Sequence, residues 1–322
     1  MQNFLIAFEQ SFTSIFSIFL IGILGFYILK KGILGEQCLN TLSDLVINVT
    51  VPCLIFHTII NNLNPGHFIS LWIFPFVSFV LCAVAFLISF IYSTVDKSLT
   101  NNRGVFRALI TFQNSLFLPL PIIILFFEGE RETEMLLYLF LFGFISGLLT
   151  YVFSPLIMST GKKEHIPVSK LILNPLTITT FLSIIAVFFH AKKYIPDFIG
   201  YPIQLIGNAS VPLIMISIGG FVLVHYRKKA KINYPFVIKS VIFKLFVVPA
   251  VFLLGIFIFK PGEAVGFLLI LQASMPSATI LPLIAKNYGG DHELLSQSMI
   301  YNLIFTIISF PLFMSIYKAL LQ

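Results

Sequence analysis

The sequence predicts an all-helical membrane protein with ten transmembrane helices, arranged as two inverted five-helix repeats. Three observations predict this fold: the composition is too apolar for a water-soluble domain, ten apolar runs are long enough to cross a bilayer, and a short motif recurs half a chain apart. Mean hydropathy is +0.99, and charged residues make up 10% of the chain, against roughly 25% in soluble domains. Because large exposed apolar surfaces associate in water, lipid is the solvent that this composition fits.

A membrane-spanning helix needs about 20 predominantly apolar residues. Ten runs of the chain meet this requirement, and the polar connections between them are short. Since no long hydrophilic stretch separates the runs, we expect a single membrane domain. The predicted spans are 11–29, 39–61, 67–94, 105–127, 134–158, 170–190, 198–224, 234–259, 263–286 and 295–319.

The basic residues predict the orientation, because cytoplasmic loops carry an excess of lysine and arginine. The net charge of +7 comes from short clusters between apolar runs, so it does not indicate nucleic-acid binding. The clusters fall in the first, third, fifth and seventh loops, which contain Lys30, Lys31, Lys97, Arg103, Lys162, Lys163, Lys170, Arg227, Lys228, Lys229 and Lys231. We therefore expect these loops in the cytoplasm, both termini outside the cell, and the protein in the plasma membrane.

An internal repeat divides the chain. Asn48-Val49-Thr50-Val51-Pro52 in the second span matches Asn208-Ala209-Ser210-Val211-Pro212 in the seventh, an offset of 160 positions from 48 to 208. Gln113-Asn114-Ser115 in the fourth span and Gln272-Ala273-Ser274 in the ninth keep nearly the same offset. Because each half has five spans, an odd number, the second half enters the membrane in the opposite sense, as in many secondary transporters. The expected repeats are residues 1–160 and 161–322.

Prolines interrupt the fourth and ninth spans. Pro119 and Pro121 follow the motif in the fourth span, and Pro276 and Pro282 follow its counterpart in the ninth. Proline lacks the N–H that a helix needs, and backbone groups freed in lipid must find other partners. We therefore expect two half-helices around Pro119 and two around Pro276, with N-terminal ends at mid-membrane that favour a carboxylate.

The polar residues beside these breaks form the expected substrate site. Their amides and hydroxyls can bind a carboxylate or hold the unwound backbone. The alternative is that they only form hydrogen bonds between helices, as such side chains do in many membrane bundles. The predicted substrate-binding residues are Gln113, Asn114, Ser115, Pro119, Pro121, Gln272, Ser274, Pro276 and Ser277.

Four further polar residues inside spans are predicted to couple or support transport: Asp44, Asn48, Asn208 and Lys244. Ionisable residues in a span are functional candidates by default. Asp44, one helical turn before Asn48, either carries a coupling proton or pairs with a lysine. The two asparagines either coordinate freed carbonyls or a cation, or stabilise a kink. Lys244 either attracts an anionic substrate or neutralises an acid.

Taken together, the motifs resemble the auxin efflux carrier family, including its bacterial members. The matching segments are Asn-Val-Thr-Val-Pro in the second span, Gln-Asn-Ser with its prolines in the fourth, Lys244–Pro249 in the eighth, and Ala273–Ala278 before Tyr288-Gly289 in the ninth. The resemblance implies ten helices in two inverted repeats with both termini outside. It also implies a scaffold of the first, second, sixth and seventh helices, a transport unit of the remaining helices, and often a homodimer.

The same resemblance implies organic anions as substrates. It puts Asn114 at the substrate site, and Ala273 stands where an asparagine would complete a pair. The short connection Ser159–Val168 is typical of bacterial members, for which dicarboxylates such as malate or malonate are suggested. The expected partners are therefore a small organic anion and the lipid bilayer.

We expect a secondary transporter of small organic anions such as carboxylates, working by elevator-type alternating access, with efflux as one direction. The related bile-acid/sodium symporters share the architecture, so a sodium-coupled symporter is the alternative, and H⁺ and Na⁺ both stay open as coupling ions. No cofactor or resident metal is expected. An enzyme is not expected, because the six histidines lack metal-ligand spacing and no Gly-x-Ser-x-Gly or His-Glu-x-x-His motif occurs. A channel or sensor is a further alternative, which a measurement of turnover separates from a carrier.

Overall fold

The computed structural model describes residues 2–158, 174–227 and 232–321, and these residues contain helices and no β-strand. Seven stretches of the described chain are long and apolar enough to cross a membrane, and they coincide with the first, second, third, fifth, seventh, eighth and tenth predicted spans. These stretches are Phe4–Lys30, Glu36–Asn62, Pro65–Val95, Gly129–Met158, Asp197–Val224, Tyr234–Phe259 and His292–Leu320.

The α-helices number sixteen in the described chain, because several spans are divided. They are α1 Gln2–Lys30, α2 Glu36–Leu45, α3 Val51–Asn62, α4 Phe68–Leu71, α5 Ile73–Val95, α6 Arg103–Thr111, α7 Pro119–Phe126, α8 Gly129–Met158, α9 Pro175–Phe188, α10 Asp197–Asn208, α11 Ser210–Arg227, α12 Tyr234–Ile242, α13 Val248–Phe259, α14 Glu263–Ala273, α15 Leu281–Tyr288 and α16 His292–Leu321.

The stretches predicted as the fourth, sixth and ninth spans contain shorter helices. The fourth stretch contains α6 and α7, the ninth contains α14 and α15, and the sixth contains α9, which Asn174 caps by accepting a hydrogen bond from the Thr177 N–H. Some sequence predictions lie outside the described residues: the Ser159–Val168 connection, the boundary between the repeats at position 160, and Lys162, Lys163, Lys170, Lys228, Lys229 and Lys231.

Two spans contain a wide π-helical turn just before a proline. Residues 46–50 form one turn between α2 and α3, and residues 243–247 form the other between α12 and α13. Pro52 and Pro249 follow these turns and have no N–H to donate to the preceding helix. The wide turn lets the chain continue without breaking, with one extra residue per turn at the point where the proline removes a donor.

Small residues allow α1 and α11 to pack with their backbones in contact. A Cβ atom at Gly219 would overlap the carbonyl oxygen of Gly22, and one at Gly25 would overlap the carbonyl oxygen of Ile216. Close approach through glycine is a common way for helices to associate in lipid, where apolar side chains gain nothing by leaving the solvent. The α1–α11 contact is therefore a closely packed interface.

The most deeply buried part of the molecule surrounds the divided helices. Leu109 and Ile110 of α6, Leu120 of α7, and Leu268 and Leu271 of α14 are fully buried. In contrast, long apolar side chains on α10 and α13 are exposed over most of their surface, as lipid contact requires. The divided helices thus lie inside the bundle, shielded by helices that face the bilayer.

Candidate functional site

The first break lies between α6 and α7. Helix α6 ends at Thr111, residues 112–118 (the first link) are not α-helical, and α7 begins at Pro119. A proline at the first helical position is favourable, because its missing N–H would be unpaired there in any case. The side-chain oxygen of Asn114 accepts a hydrogen bond from the Phe117 N–H at 3.0 Å and so stabilises the turn within the link.

The second break lies between α14 and α15. Helix α14 ends at Ala273, residues 274–280 (the second link) are not α-helical, and α15 begins at Leu281. The break surrounds Pro276, where the sequence predicts it. Pro276 lies inside the second link, and Pro282 occupies the second position of α15.

The two links cross and bind one another through their backbones. The Asn114 N–H donates to the Pro276 carbonyl at 2.8 Å, and the Ala278 N–H donates to the Phe112 carbonyl at 2.9 Å, which makes an antiparallel bridge between Gln113 and Ser277. Backbone groups released by each break are therefore satisfied by the other break, which removes a large part of the energetic penalty of breaking a helix away from water. We call this pair of links the crossing.

Side-chain hydrogen bonds also stabilise the crossing. Gln272 donates from its amide to the Ser115 carbonyl at 3.0 Å, and Ser277 donates from its hydroxyl to the Leu109 carbonyl at 2.7 Å. Asn302 of α16 donates to the Ser277 hydroxyl oxygen at 3.0 Å. The side chains of Gln272 and Ser277 thus form hydrogen bonds between helices, which is the alternative to substrate binding that the sequence left open.

A small pocket opens beside the crossing, with a volume of about 80 Å³. One wall is the first link, with Gln113, Asn114 and Ser115. The opposite wall is formed by α8 and α9, and Gly147 leaves room there because it lacks a side chain. Further polar residues that line the pocket, and that sequence reasoning did not identify, are Thr150, Tyr151, Asn174, Thr177 and Thr180.

The spacing of the polar residues at the start of α9 is a pattern in the sequence that indicates a shared polar face. Asn174, Thr177 and Thr180 recur every three positions, so they lie on one side of the helix and turn a polar stripe toward the pocket. Apolar residues surround them, and Ile55 of α3, Phe140 and Phe144 complete the wall. The pocket is therefore mainly apolar with a few polar groups, as small-molecule sites commonly are.

Several buried polar atoms at the crossing have no hydrogen-bond partner in the described structure. The amide nitrogen of Asn114 is one of them, together with the side-chain oxygens of Gln113, Gln272, Ser274 and Asn302. A buried polar atom without a partner costs about 1–3 kcal/mol, so these atoms mark places where a ligand, an ion or water is favoured. The Asn114 amide is a hydrogen-bond donor on the pocket wall, and a carboxylate oxygen is a suitable acceptor for it.

The four predicted support residues lie in different surroundings. Asp44, Asn48 and Asn208 are exposed and do not line the pocket. Asn48 donates to the backbone carbonyl of Asp44 at 2.8 Å, so the two residues share one face as expected. Lys244 is fully buried in the wide turn of the eighth span, and its ammonium donates to the Ile110 carbonyl at 2.8 Å, next to the end of α6.

Known proteins of similar sequence are described as membrane transporters. Residues 10–314 match the family described as membrane transport protein. An uncharacterized transporter of Methanocaldococcus jannaschii is 28% identical over 289 residues, covering 89% of this chain and 92% of that protein. An uncharacterized transporter of Methanothermobacter thermautotrophicus is 25% identical over 316 residues, covering 95% and 98%.

A third relative covers a smaller part of the chain. An uncharacterized transporter of Schizosaccharomyces pombe is 33% identical over 99 residues, which is 31% of this chain and 22% of that protein. The family match extends over nearly the whole sequence, and the described chain has seven apolar helices long enough to cross a membrane. The chain therefore belongs to the membrane transport protein family, the auxin efflux carrier type that its motifs resemble, and is a multi-pass membrane transporter.

Proposed function

We propose that this transporter carries small organic anions, and that the anion binds in the pocket beside the crossing. The observation that carries the proposal is the buried amide nitrogen of Asn114, which has no partner and lies on the pocket wall. A carboxylate oxygen accepts a hydrogen bond from such a donor. The first turn of α7 offers no free N–H, because Pro119 and Pro121 lack one and the Leu120 N–H donates to the Leu116 carbonyl, so the donor that we propose is the Asn114 side chain and not the helix terminus.

We further propose that ten helices form two inverted repeats, residues 1–160 and 161–322. The support comes from helix neighbours: α1 of the first span packs on α11 of the seventh, and α3 of the second packs on α9 of the sixth. In an inverted repeat the first and sixth spans are counterparts, as are the second and seventh, so each of these contacts is the image of the other. The matching breaks in the fourth and ninth stretches support the same relation.

The proposed transport cycle is an elevator-type movement. The α1–α11 interface, packed through Gly22 and Gly219, belongs to the static part, and the crossing with α8 and α16 belongs to the moving part. If the fifth loop is cytoplasmic, as its lysines predict, the pocket opens toward the cytoplasm, because Tyr151 and Asn174 lie on either side of that loop in the sequence. Both termini then lie outside the cell.

The test is transport by purified protein in liposomes. A panel of labelled acids (pyruvate, benzoate, malonate, succinate and malate) is compared in wild type, Asn114→Ala and the control Asn61→Ala. Asn61 is exposed, donates to the His57 carbonyl within its own helix and does not line the pocket. We expect a loss of flux of about tenfold or more in Asn114→Ala, from one charge-assisted hydrogen bond, and wild-type flux in Asn61→Ala.

Two results would contradict the proposal in different ways. Normal flux of every accepted acid in folded Asn114→Ala would remove the site assignment. No flux of any acid in the wild type, with the protein folded in the liposome, would remove the substrate class. The expected pairing of two copies stays a prediction, which the mass of the detergent-solubilised particle checks.

A sodium-coupled mechanism is the second candidate, and the unpartnered oxygens at the crossing favour it. The side-chain oxygens of Gln113, Gln272, Ser274 and Asn302 are buried acceptors, and oxygen atoms are the ligands that hard cations prefer. In a proton-coupled mechanism the exposed carboxyl of Asp44 is the proposed proton carrier. Flux that follows an imposed sodium gradient at constant pH supports the first mechanism, and flux that follows a pH gradient without sodium supports the second.

A further inference from the structure

Lys244 is the only charged residue among the fully or nearly fully buried side chains of the described structure. It lies in the wide π-helical turn at residues 243–247, in the middle of the eighth span. None of the ion pairs found in the described chain includes it: those pairs join Arg131, Arg227 and Lys239 to carboxylates nearer the membrane surfaces. A buried ammonium without a carboxylate is costly, so its presence at this position calls for a compensating group.

The structure supplies only part of that compensation. The Lys244 ammonium donates to the Ile110 carbonyl at 2.8 Å, in the last turn of α6. The last carbonyls of a helix have no partner within the helix and carry a partial negative charge, so a lysine there is favourable. The titratable side chain that faces Lys244 is the Cys82 thiol. A helix dipole has no net charge, however, so the Lys244 ammonium leaves this region with one net positive charge.

We propose that Lys244 balances the charge of a bound mono-anion during transport. The Lys244 ammonium binds the carbonyl of Ile110, which precedes Asn114 of the pocket wall by four positions, so the ammonium is bonded to the same segment that carries the proposed anion donor. With a mono-anion bound, the buried interior that Lys244 and the anion share has no net charge. Empty, this interior has one positive charge, and with a dianion bound it has one negative charge. This inference rests on the proposed function and names its preferred substrate class, the monocarboxylates.

This charge balance predicts which step of the transport cycle depends on the membrane voltage. An elementary charge that crosses the membrane changes an equilibrium about 50-fold per 100 mV. Exchange of one mono-anion for another uses only the loaded carrier, so voltage should leave its rate unchanged. Net efflux includes the return of the empty carrier, so voltage should change its rate. Exchange of a dianion should also depend on voltage, because the loaded carrier is then negative.

The experiment measures exchange and net efflux in liposomes at 0 and −100 mV, set by a potassium gradient with valinomycin. The probes are whichever of labelled pyruvate and benzoate the wild type carries faster, and malonate as the dianion. For the wild type we expect mono-anion exchange at the same rate at both voltages, with malonate exchange and net efflux changing severalfold. This comparison needs no variant, so it stands even if Lys244 variants fail to fold.

Substitutions of Lys244 then test whether this residue supplies the positive charge. In Lys244→Met we expect mono-anion exchange to become voltage-dependent and mono-anion affinity to fall about tenfold, whereas Lys244→Arg should keep the wild-type voltage pattern. The matched control is Lys239→Met, because Lys239 is on the same span at its end, where it pairs with Asp96. We expect Lys239→Met to behave as the wild type does.

The outcomes separate the two proposals. Mono-anion exchange that depends on voltage in the wild type, or transport of malonate alone, would overturn the role of Lys244 while the anion-transport proposal stands. Voltage-independent exchange in folded Lys244→Met would overturn it as well. Absence of any organic-anion flux in the wild type would overturn the proposed function and this inference together.

Discussion

The hydroxyl of Ser277 offers a sharp test of how the crossing is held together. It donates to the Leu109 carbonyl at 2.7 Å and accepts from the Asn302 amide at 3.0 Å, so one buried atom joins the second link to α6 and α16. Ser277→Ala removes both bonds and leaves two buried groups without a partner. Ser298→Ala is the matched control, because Ser298 is equally buried on α16 and its hydroxyl has no partner in the described structure.

The magnitude follows from these two groups. An orphaned buried polar group costs about 1–3 kcal/mol in soluble proteins, and interhelical hydrogen bonds in membranes average about 0.6 kcal/mol. We therefore expect a loss of about 2 kcal/mol for Ser277→Ala. With an unfolding entropy of about 2.1 cal/mol/K per residue over 322 residues, this loss lowers Tm by about 3 °C.

The assay is thermal unfolding of the purified protein in one detergent, followed by intrinsic fluorescence or by loss of the monodisperse peak. Ser298→Ala should change Tm by less than about 1 °C, since it removes no hydrogen bond. Equal Tm values for the two variants would show that the bonds of Ser277 contribute nothing to the crossing, and would refute the reasoning.

Two further predictions concern regions away from the crossing. Gly219→Leu should prevent α1 from packing on α11, because a Cβ there already overlaps the Gly22 carbonyl oxygen. The control Gly255→Leu should yield normal amounts of folded protein, because a Cβ at Gly255 meets no atom within 4 Å. Equal yields of the two variants in size-exclusion chromatography would argue against the tight interface. At the end of the third span, the Lys239 ammonium holds the pKa of the Asp96 carboxyl well below its usual range. Asp96→Asn should therefore lower Tm at pH 7, where the ionised carboxyl stabilises the fold, and have a smaller effect at pH 3, below its ordinary pKa of about 4; the same loss at both pH values would contradict the ion-pair account.

Local chemistry explains what could be predicted from the sequence. Hydropathy located seven stretches that the structure forms as long apolar helices, because the exclusion of polar groups from lipid acts on each segment separately. The breaks around Pro119 and Pro276 could be predicted as well, because a proline removes a helix N–H donor whatever the rest of the fold. Spacing alone does not show which proline lies in the first turn of the following helix, and in the ninth stretch it is Pro282.

Only the tertiary structure decided which of the polar residues meet. Asn114 and Gln113 lie on the pocket wall, whereas Gln272 and Ser277 are occupied in fastening the two links, although the sequence assigned all four to one site. Asn174, the cap of α9, joins the pocket from a different half of the chain.

The same holds for the buried charge. The sequence identified Lys244 as an ionisable residue in a span, and the structure gave it the Ile110 carbonyl as its partner. That partner lies 134 positions earlier in the chain. Hydropathy and proline content are properties of short segments, so the sequence by itself determined the apolar spans and the positions of the breaks. A hydrogen bond needs two atoms within about 3 Å, and for residues this far apart in the chain only the folded structure fixes that distance.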